Sequence, residues 1–274
     1  MNNQDDDYSI EPLDTDKKDI PQRSIQKKGI LSKYPFSWVI SGKSGSGKTQ
    51  LLLNALSREN MLKNYFHVII IFSPTANDLD DTYDSLGKIP KENFVKTFDK
   101  STLDNILANR KKVIKEKGIK WVAKNDRVCL LFDDCISEKS FLNSPECLKM
   151  FTLLRHYLCS CIILSQSFTG IPKKIRNNAN MLSIFPSLSS EVEIIQEEIR
   201  PSGILKKNFR EIINYCTEGR YDFMHINNGA DPGKRIRKNL TEIIDLSEYD
   251  EEAKKKKIEK ELSKIVNHYK FKNI

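Results

Sequence analysis

Val39-Ile40-Ser41-Gly42-Lys43-Ser44-Gly45-Ser46-Gly47-Lys48-Thr49 is the stretch that decides the fold. From Gly42 to Thr49 it satisfies G-x-x-x-x-G-K-[ST] in full, and its flanks give that pattern mechanical meaning. An apolar run, Phe36 to Ile40, leads in, and an apolar helix-forming stretch, Gln50 to Leu56, leads out. In a strand–loop–helix unit of this kind the glycines let backbone N–H groups turn inward around phosphates. The helix behind the loop aims the positive end of its dipole at them. Lys48 is expected to reach the β- and γ-phosphates, and the Thr49 hydroxyl to ligate Mg²⁺. The loop therefore predicts a nucleoside triphosphate site cradled by Gly42, Lys43, Ser44, Gly45, Ser46, Gly47, Lys48 and Thr49. Within it, the Lys43 side chain is either a further polyphosphate contact or a solvated cation.

Such a loop needs a carboxylate to hold Mg²⁺, placed at the end of a buried strand. Val128-Cys129-Leu130-Leu131-Phe132-Asp133-Asp134 supplies five apolar residues followed by two acids. Asp133 reads as the metal-side residue and Asp134 as the group that polarises the attacking water. Lys48 and Asp133 stand 85 positions apart, room for another whole strand, His67–Phe72. That extra strand, with a second carboxylate, marks the ATPase branch of P-loop proteins. No Asn-Lys-x-Asp guanine signature follows a later strand, since Lys124-Asn125-Asp126 precedes one. ATP is expected rather than GTP. A further run, Cys161-Ile162-Ile163-Leu164-Ser165-Gln166, ends in an amide, and inserted between the other two strands it would point Gln166 at the γ-phosphate or its water.

The apolar runs Phe36–Ile40, His67–Phe72, Val128–Phe132, Cys159–Leu164 and Met181–Phe185 alternate with longer helix-permitting stretches. This is the pattern of an α/β fold, a mostly parallel sheet flanked by helices. A sixth run, Arg220–Ile226, alternates less cleanly and is expected near a sheet edge. Residues 1–30 read as a flexible arm, 31–245 as the P-loop domain, and 246–274 as a basic amphipathic helix. That helix shows an apolar stripe at Ile258, Leu262, Ile265 and Tyr269. The polar excursion 75–126, with Lys111, Lys112, Lys115, Lys117, Lys120 and Lys124, is expected to form solvated helices, though it could also touch a substrate.

Charge and cysteine usage narrow the function classes. The net charge is +8, but residues 1–20 carry seven acids against two lysines, so the rest of the chain carries +13. A basic body suits a polyanionic partner. No apolar run approaches the ~20 residues of a membrane span, and the first residues lack an apolar signal-peptide core, which argues against secretion. Six cysteines without a C-x-x-C pair read as buried free thiols, Cys159 and Cys161 on one strand face, rather than a zinc site.

The motif set resembles the FtsK/HerA superfamily of ring ATPases, and within it the genome-packaging ATPases of poxviruses and related large DNA viruses. The matching pieces run in order over roughly residues 30–230: Gly42 to Thr49 and Leu130-Leu131-Phe132-Asp133-Asp134, then Leu154-Arg155-His156-Tyr157, Ile163-Leu164-Ser165-Gln166-Ser167 and Ile175-Arg176-Asn177-Asn178. Where many superfamily members carry Glu, this chain has Asp134, whose shorter side chain sits farther from the water. The resemblance implies a RecA-like (ASCE) P-loop core assembling into a homo-oligomeric ring. It also implies ATP-driven movement of double-stranded DNA into a preformed capsid, with capsid or portal-region proteins as partners. The setting would be the host cytoplasm at viral assembly sites, with association with the virion as the alternative. Rings of this kind complete each site with an arginine from the next subunit, for which Arg155 and Arg176 are the candidates. A motor must accept every sequence, so its DNA contacts are expected on phosphates, from Lys173-Lys174-Arg176, Lys206-Lys207-Arg210 and Lys234-Arg235-Arg237-Lys238. Two other readings stand beside this one: another DNA-translocating or helicase-like ATPase, and a nucleotide-dependent switch or scaffold.

Overall fold

The computed structural model describes residues 20–74, 81–87, 89–96, 100–133, 144, 148 and 151–250. Among these, the strands are Ser37–Ser41 (β1), Val68–Phe72 (β2), Phe94–Val95 (β3), Val128–Asp133 (β4), Cys159–Ser165 (β5), Met181–Ile184 (β6), Met224–Asn227 (β7), Ile236–Lys238 (β8) and Glu242–Ile243 (β9). They form one sheet in the order β3-β2-β4-β5-β1-β6-β7-β8-β9. The six strands from β3 to β6 are parallel, and β7, β8 and β9 extend the sheet antiparallel. Parallel strands covered on both faces carry apolar side chains at nearly every position. That is why β4 and β5 were legible as unbroken apolar runs. The expected sixth strand is present as β7, near one edge of the sheet, with only the short β8 and β9 beyond it.

Alternate residues of each strand feed two separate cores. On one face, Val39, Leu130, Phe132, Cys161, Ile163 and Leu182 pack with residues of Ser189–Ile199 and Lys206–Cys216. On the other, Trp38, Ile40, Leu131, Ile162 and Leu164 pack against the apolar stripe Leu51, Leu52, Ala55 and Leu56 of Lys48–Ser57. Among the described residues the helices are, in chain order, Ser24–Lys27 (α1), Lys48–Ser57 (α2), Lys100–Lys117 (α3), Ile119–Asn125 (α4), Lys173–Asn178 (α5), Ser189–Ile199 (α6) and Lys206–Cys216 (α7). The result is a three-layer α/β/α sandwich. Cys159 and Cys161 do share one face, and Cys129, Cys159, Cys161 and Cys216 are buried free thiols. Burial holds Cys159 up at about 11 and Cys216 at about 12, so neither is a thiolate at neutral pH.

Residues 20–30, read from sequence as part of the arm, are packed. Ile20 and Ile25 are buried, as is Gln26, whose amide donates to the Ser32 carbonyl at 3.0 Å. Asn227 donates to the Gly29 carbonyl at 2.9 Å and accepts from the Ser32 hydroxyl at 2.6 Å. Polar anchors of this kind leave no apolar signature in a sequence. The acidic residues 1–19 and the stripe from Ile258 to Tyr269 lie outside the described residues. No helix among the described residues is long and apolar enough to cross a membrane. The basic excursion is helical as expected, with the lysines of α3 and α4 exposed. Arg110 instead is buried, its guanidinium paired with Asp126.

Candidate active site

β1 delivers the P-loop at its C-terminal end, and the loop is tied down on both sides. The Gly42 N–H donates to the Ser165 carbonyl of β5 at 3.1 Å, and the Phe185 N–H to the Ser41 carbonyl at 2.9 Å. Gly42 has no room for a side chain: a Cβ there would lie 2.5 Å from Phe185 Cβ and 2.8 Å from Ser46 Oγ. Gly47, which caps α2, has φ +104°, a conformation L side chains rarely adopt. The loop thus turns tightly into the helix, and the Leu51 N–H closes the first helical bond on the Gly47 carbonyl at 2.9 Å.

Lys48 Nζ donates to the carbonyls of Gly42 at 2.6 Å and Lys43 at 2.9 Å, which holds its charge over the loop. Ser46 Oγ is buried with no hydrogen-bond partner, an orphaned polar atom inside the cradle. Lys43, Ser44 and Gly45 are exposed at the loop's rim. An anion is what this arrangement fits: a fixed ammonium, an unspent hydroxyl and a helix N-terminus at one place.

The sheet order brings the other residues to the same edge. β5 lies between β1 and β4, pairing Ser41 with Ser165 and Asp133 with Leu164. Asp133 therefore ends β4 two strands from the P-loop, and Gln166, exposed, begins the loop directly after β5 between them. The insertion expected from sequence is what the register shows. Asp134 lies outside the described residues. Thr49 and Asp133 offer the hard oxygen donors that suit Mg²⁺.

Tyr83 was missed by sequence reasoning. Its hydroxyl donates to Asp133 Oδ2, and its ring is buried. It comes from the polar, acidic stretch after β2, where a lone aromatic among acids was the available signal.

Arg176 does not sit as a finger would. Its guanidinium is buried and bidentate on Glu198 of α6, at 2.6 Å and 3.0 Å, with both side chains under a tenth exposed. It also donates to the carbonyls of Phe168, at 3.2 Å, and Ile171, and lies 4.6 Å from the Phe168 ring. Arg176 is a strut: it ties the loop that follows Gln166 to α6. Arg155 is exposed in the 3-10 turn Leu154–Tyr157, immediately before β5. β5 has seven residues, so at about 3.3 Å each its two ends stand roughly 20 Å apart. Arg155 is therefore at the opposite edge of the sheet from its own P-loop and cannot reach it.

The basic clusters are partly spent within the chain. Arg237 is buried, and Lys238 pairs with Glu218 and, at 3.5 Å, with Asp222. Both lie on β8. Lys206 and Arg210 face Glu197 at 3.5 Å and Glu193 at 3.6 Å across α6 and α7. Such surface pairs are worth ~1 kcal/mol or less, so these two remain able to meet a phosphate. Lys174, Lys207 and Arg235 are exposed.

A family model described as "Poxvirus A32 protein" matches residues 24–270. The chain belongs to the poxvirus A32 family. Its relatives include the DNA packaging protein OPG160 of vaccinia virus (strain Copenhagen), 30% identical over 203 residues, which cover 73% of this chain and 70% of that protein. OPG160 of variola virus is 32% identical over 188 residues, covering 67% and 64%. Among solved structures, the genome packaging NTPase B204 of Sulfolobus turreted icosahedral virus 2, in complex with AMPPCP, superposes with a TM-score of 0.52 at 15% identity. The match covers 74% of this chain and 96% of that one. At that identity the likeness is one of fold, and the fold is the P-loop α/β class expected from the motifs.

Proposed function

We propose that this A32-family protein is the ATPase of a viral genome-packaging motor. It binds ATP with Mg²⁺, hydrolyses it, and uses the cycle to drive double-stranded DNA into a preformed capsid. One observation carries the chemistry: strand order β4-β5-β1 gathers the P-loop, Asp133 and Gln166 on a single edge. Membership of a family whose relatives include DNA packaging proteins, and a fold shared with a packaging NTPase bound to an ATP analogue, support the biological setting.

In this reading Lys48 and the loop amides hold the polyphosphate, with Lys43 at the rim. Thr49 and Asp133 would hold Mg²⁺, which when bound would neutralise charge on the phosphate oxygens. Tyr83 orients Asp133. Gln166 and Asp134 position and polarise the water that attacks the γ-phosphorus. The bond to the bridging oxygen breaks, giving ADP and inorganic phosphate. Arg155, out of reach of its own site, serves the neighbouring subunit of a ring. DNA is held through phosphates by exposed lysines and arginines, without base reading.

ATP turnover measured with and without double-stranded DNA, alongside the oligomer mass, tests the proposal. A DNA-stimulated oligomeric ATPase, silenced in a folded Lys48→Ala variant, is expected. A DNA-indifferent monomer would instead favour a nucleotide-dependent switch, and normal hydrolysis by folded Lys48→Ala would remove the P-loop assignment.

A further inference from the structure

Beside the P-loop, between α2 and the β6–β7 half of the sheet, an open cavity of about 510 Å³ is lined by Gly47, Leu51, Asn54, Phe185, Tyr221 and Phe223 among others. Gly47, Leu51 and Asn54 recur at i, i+4 and i+7, so they lie along one face of α2 and its cap. Phe185 and Phe223 form a tilted aromatic pair, with ring centroids 4.9 Å apart, and both are buried. Tyr221 is different: it is 59% exposed. Its ring edge comes so close to the loop that a Cβ on Gly47 would meet Tyr221 Cδ1 at 3.4 Å, and the Arg220 guanidinium lies 5.2 Å from the ring centroid. A large aromatic is thus held at the surface where the P-loop meets its helix.

We propose that this cavity is the nucleobase subsite of the nucleotide site, with Tyr221 as the stacking platform. The inference rests on the P-loop reading given above. Phosphates fixed by the loop leave the ribose and base to run along the first turns of α2, and this cavity opens there. Its volume is in the range of small-ligand pockets, and its walls are the aromatic and apolar surfaces that a base's π-face prefers. Asn54 gives the site a polarity. Its amide nitrogen donates one N–H to the Gln50 carbonyl at 2.7 Å, which leaves the second N–H and the side-chain oxygen as groups it can offer to a base edge. None of this was visible in the sequence, because Tyr221 lies 174 positions from Gly47.

The test is equilibrium binding to the full chain with two probes, ATP and inorganic triphosphate, which has the charge but no base. Tyr221→Ala is expected to weaken ATP binding about tenfold or more and to leave triphosphate binding unchanged. Tyr221→Phe, which keeps the ring, is expected to retain ATP affinity within about twofold. If wild type binds triphosphate and Tyr221→Ala leaves ATP affinity unaltered, or weakens both probes alike, the base assignment is overturned. If wild type binds neither probe, the P-loop reading falls and takes the subsite with it.

Discussion

At the scale of single residues, the site separates groups whose type announces their role from groups whose role is set by a distant partner. Gly42, Gly47, Lys48, Thr49 and Asp133 belong to the first kind, since motif and spacing alone place them. Tyr83 and Arg176 belong to the second. Tyr83 meets Asp133 from 50 positions away and Arg176 meets Glu198 from 22, and only the folded chain reveals either contact. For Arg176 the consequence is measurable. Removing its guanidinium leaves the Glu198 carboxylate, 7% exposed, facing the mostly exposed Lys173 at 3.9 Å in place of its bidentate partner, and breaking a buried pair costs about 3–5 kcal/mol. Arg176→Ala is therefore expected to lower unfolding stability by about that amount in denaturant titrations. The double substitution Arg176→Met/Glu198→Leu should recover most of it, because paired apolar replacements leave no uncompensated charge. A folded Arg176→Ala protein of wild-type stability, defective only in turnover, would return Arg176 to the catalytic candidates.

At the scale of elements, legibility follows from what each element buries. β1, β2, β4, β5 and β6 were readable to within a residue or two because parallel strands buried on both faces are apolar throughout. The hairpin β7–β8–β9 and the segment 20–33 were harder to read, because their contacts are polar. His225 on β7 is the centre of that polar seam. Its Nδ1 lies 2.9 Å from Ser183 Oγ, and its Nε2 lies 2.9 Å from the Ile30 carbonyl. Ser183 Oγ in turn accepts from Trp38 Nε1 at 3.0 Å. Burial is the main cause holding the imidazole down at about 4, against 6.5 when unfolded, so the folded chain keeps His225 neutral where the unfolded chain binds a proton. The sign follows: stability is full above pH ~6.5 and falls as pH drops towards ~4, by on the order of 3 kcal/mol from this residue alone. Thermal melts between pH 7 and 4 should show this decline, and His225→Gln should flatten part of it. An unchanged slope in the variant would mean that other groups govern the acid response.

At the scale of the whole molecule, the sheet has two edges with different contents. The C-terminal edge of the parallel strands holds the P-loop, Asp133 and Gln166. The N-terminal edge of β5 holds Arg155, exposed beside a small cavity of about 120 Å³ formed with Phe151, Ser37 and Asn180. A single chain has no means of joining the two, whereas a ring in which one subunit's arginine faces the next subunit's P-loop does. This placement supports Arg155, rather than the internally paired Arg176, as the proposed shared residue.

Mixed-subunit hydrolysis tests that claim most directly. Arg155→Ala subunits keep a sound P-loop, and Lys48→Ala subunits keep a sound arginine, so each homogeneous preparation is expected to be nearly inactive. A trans arginine can be worth ~10³ or more in rate, so the contrast is large. Combined in one oligomer, the two variants are expected to regain activity at interfaces where an Arg155→Ala P-loop faces a Lys48→Ala neighbour. Oligomers shown to contain both variants, yet no more active than either variant alone, would contradict the shared site and the ring motor built on it.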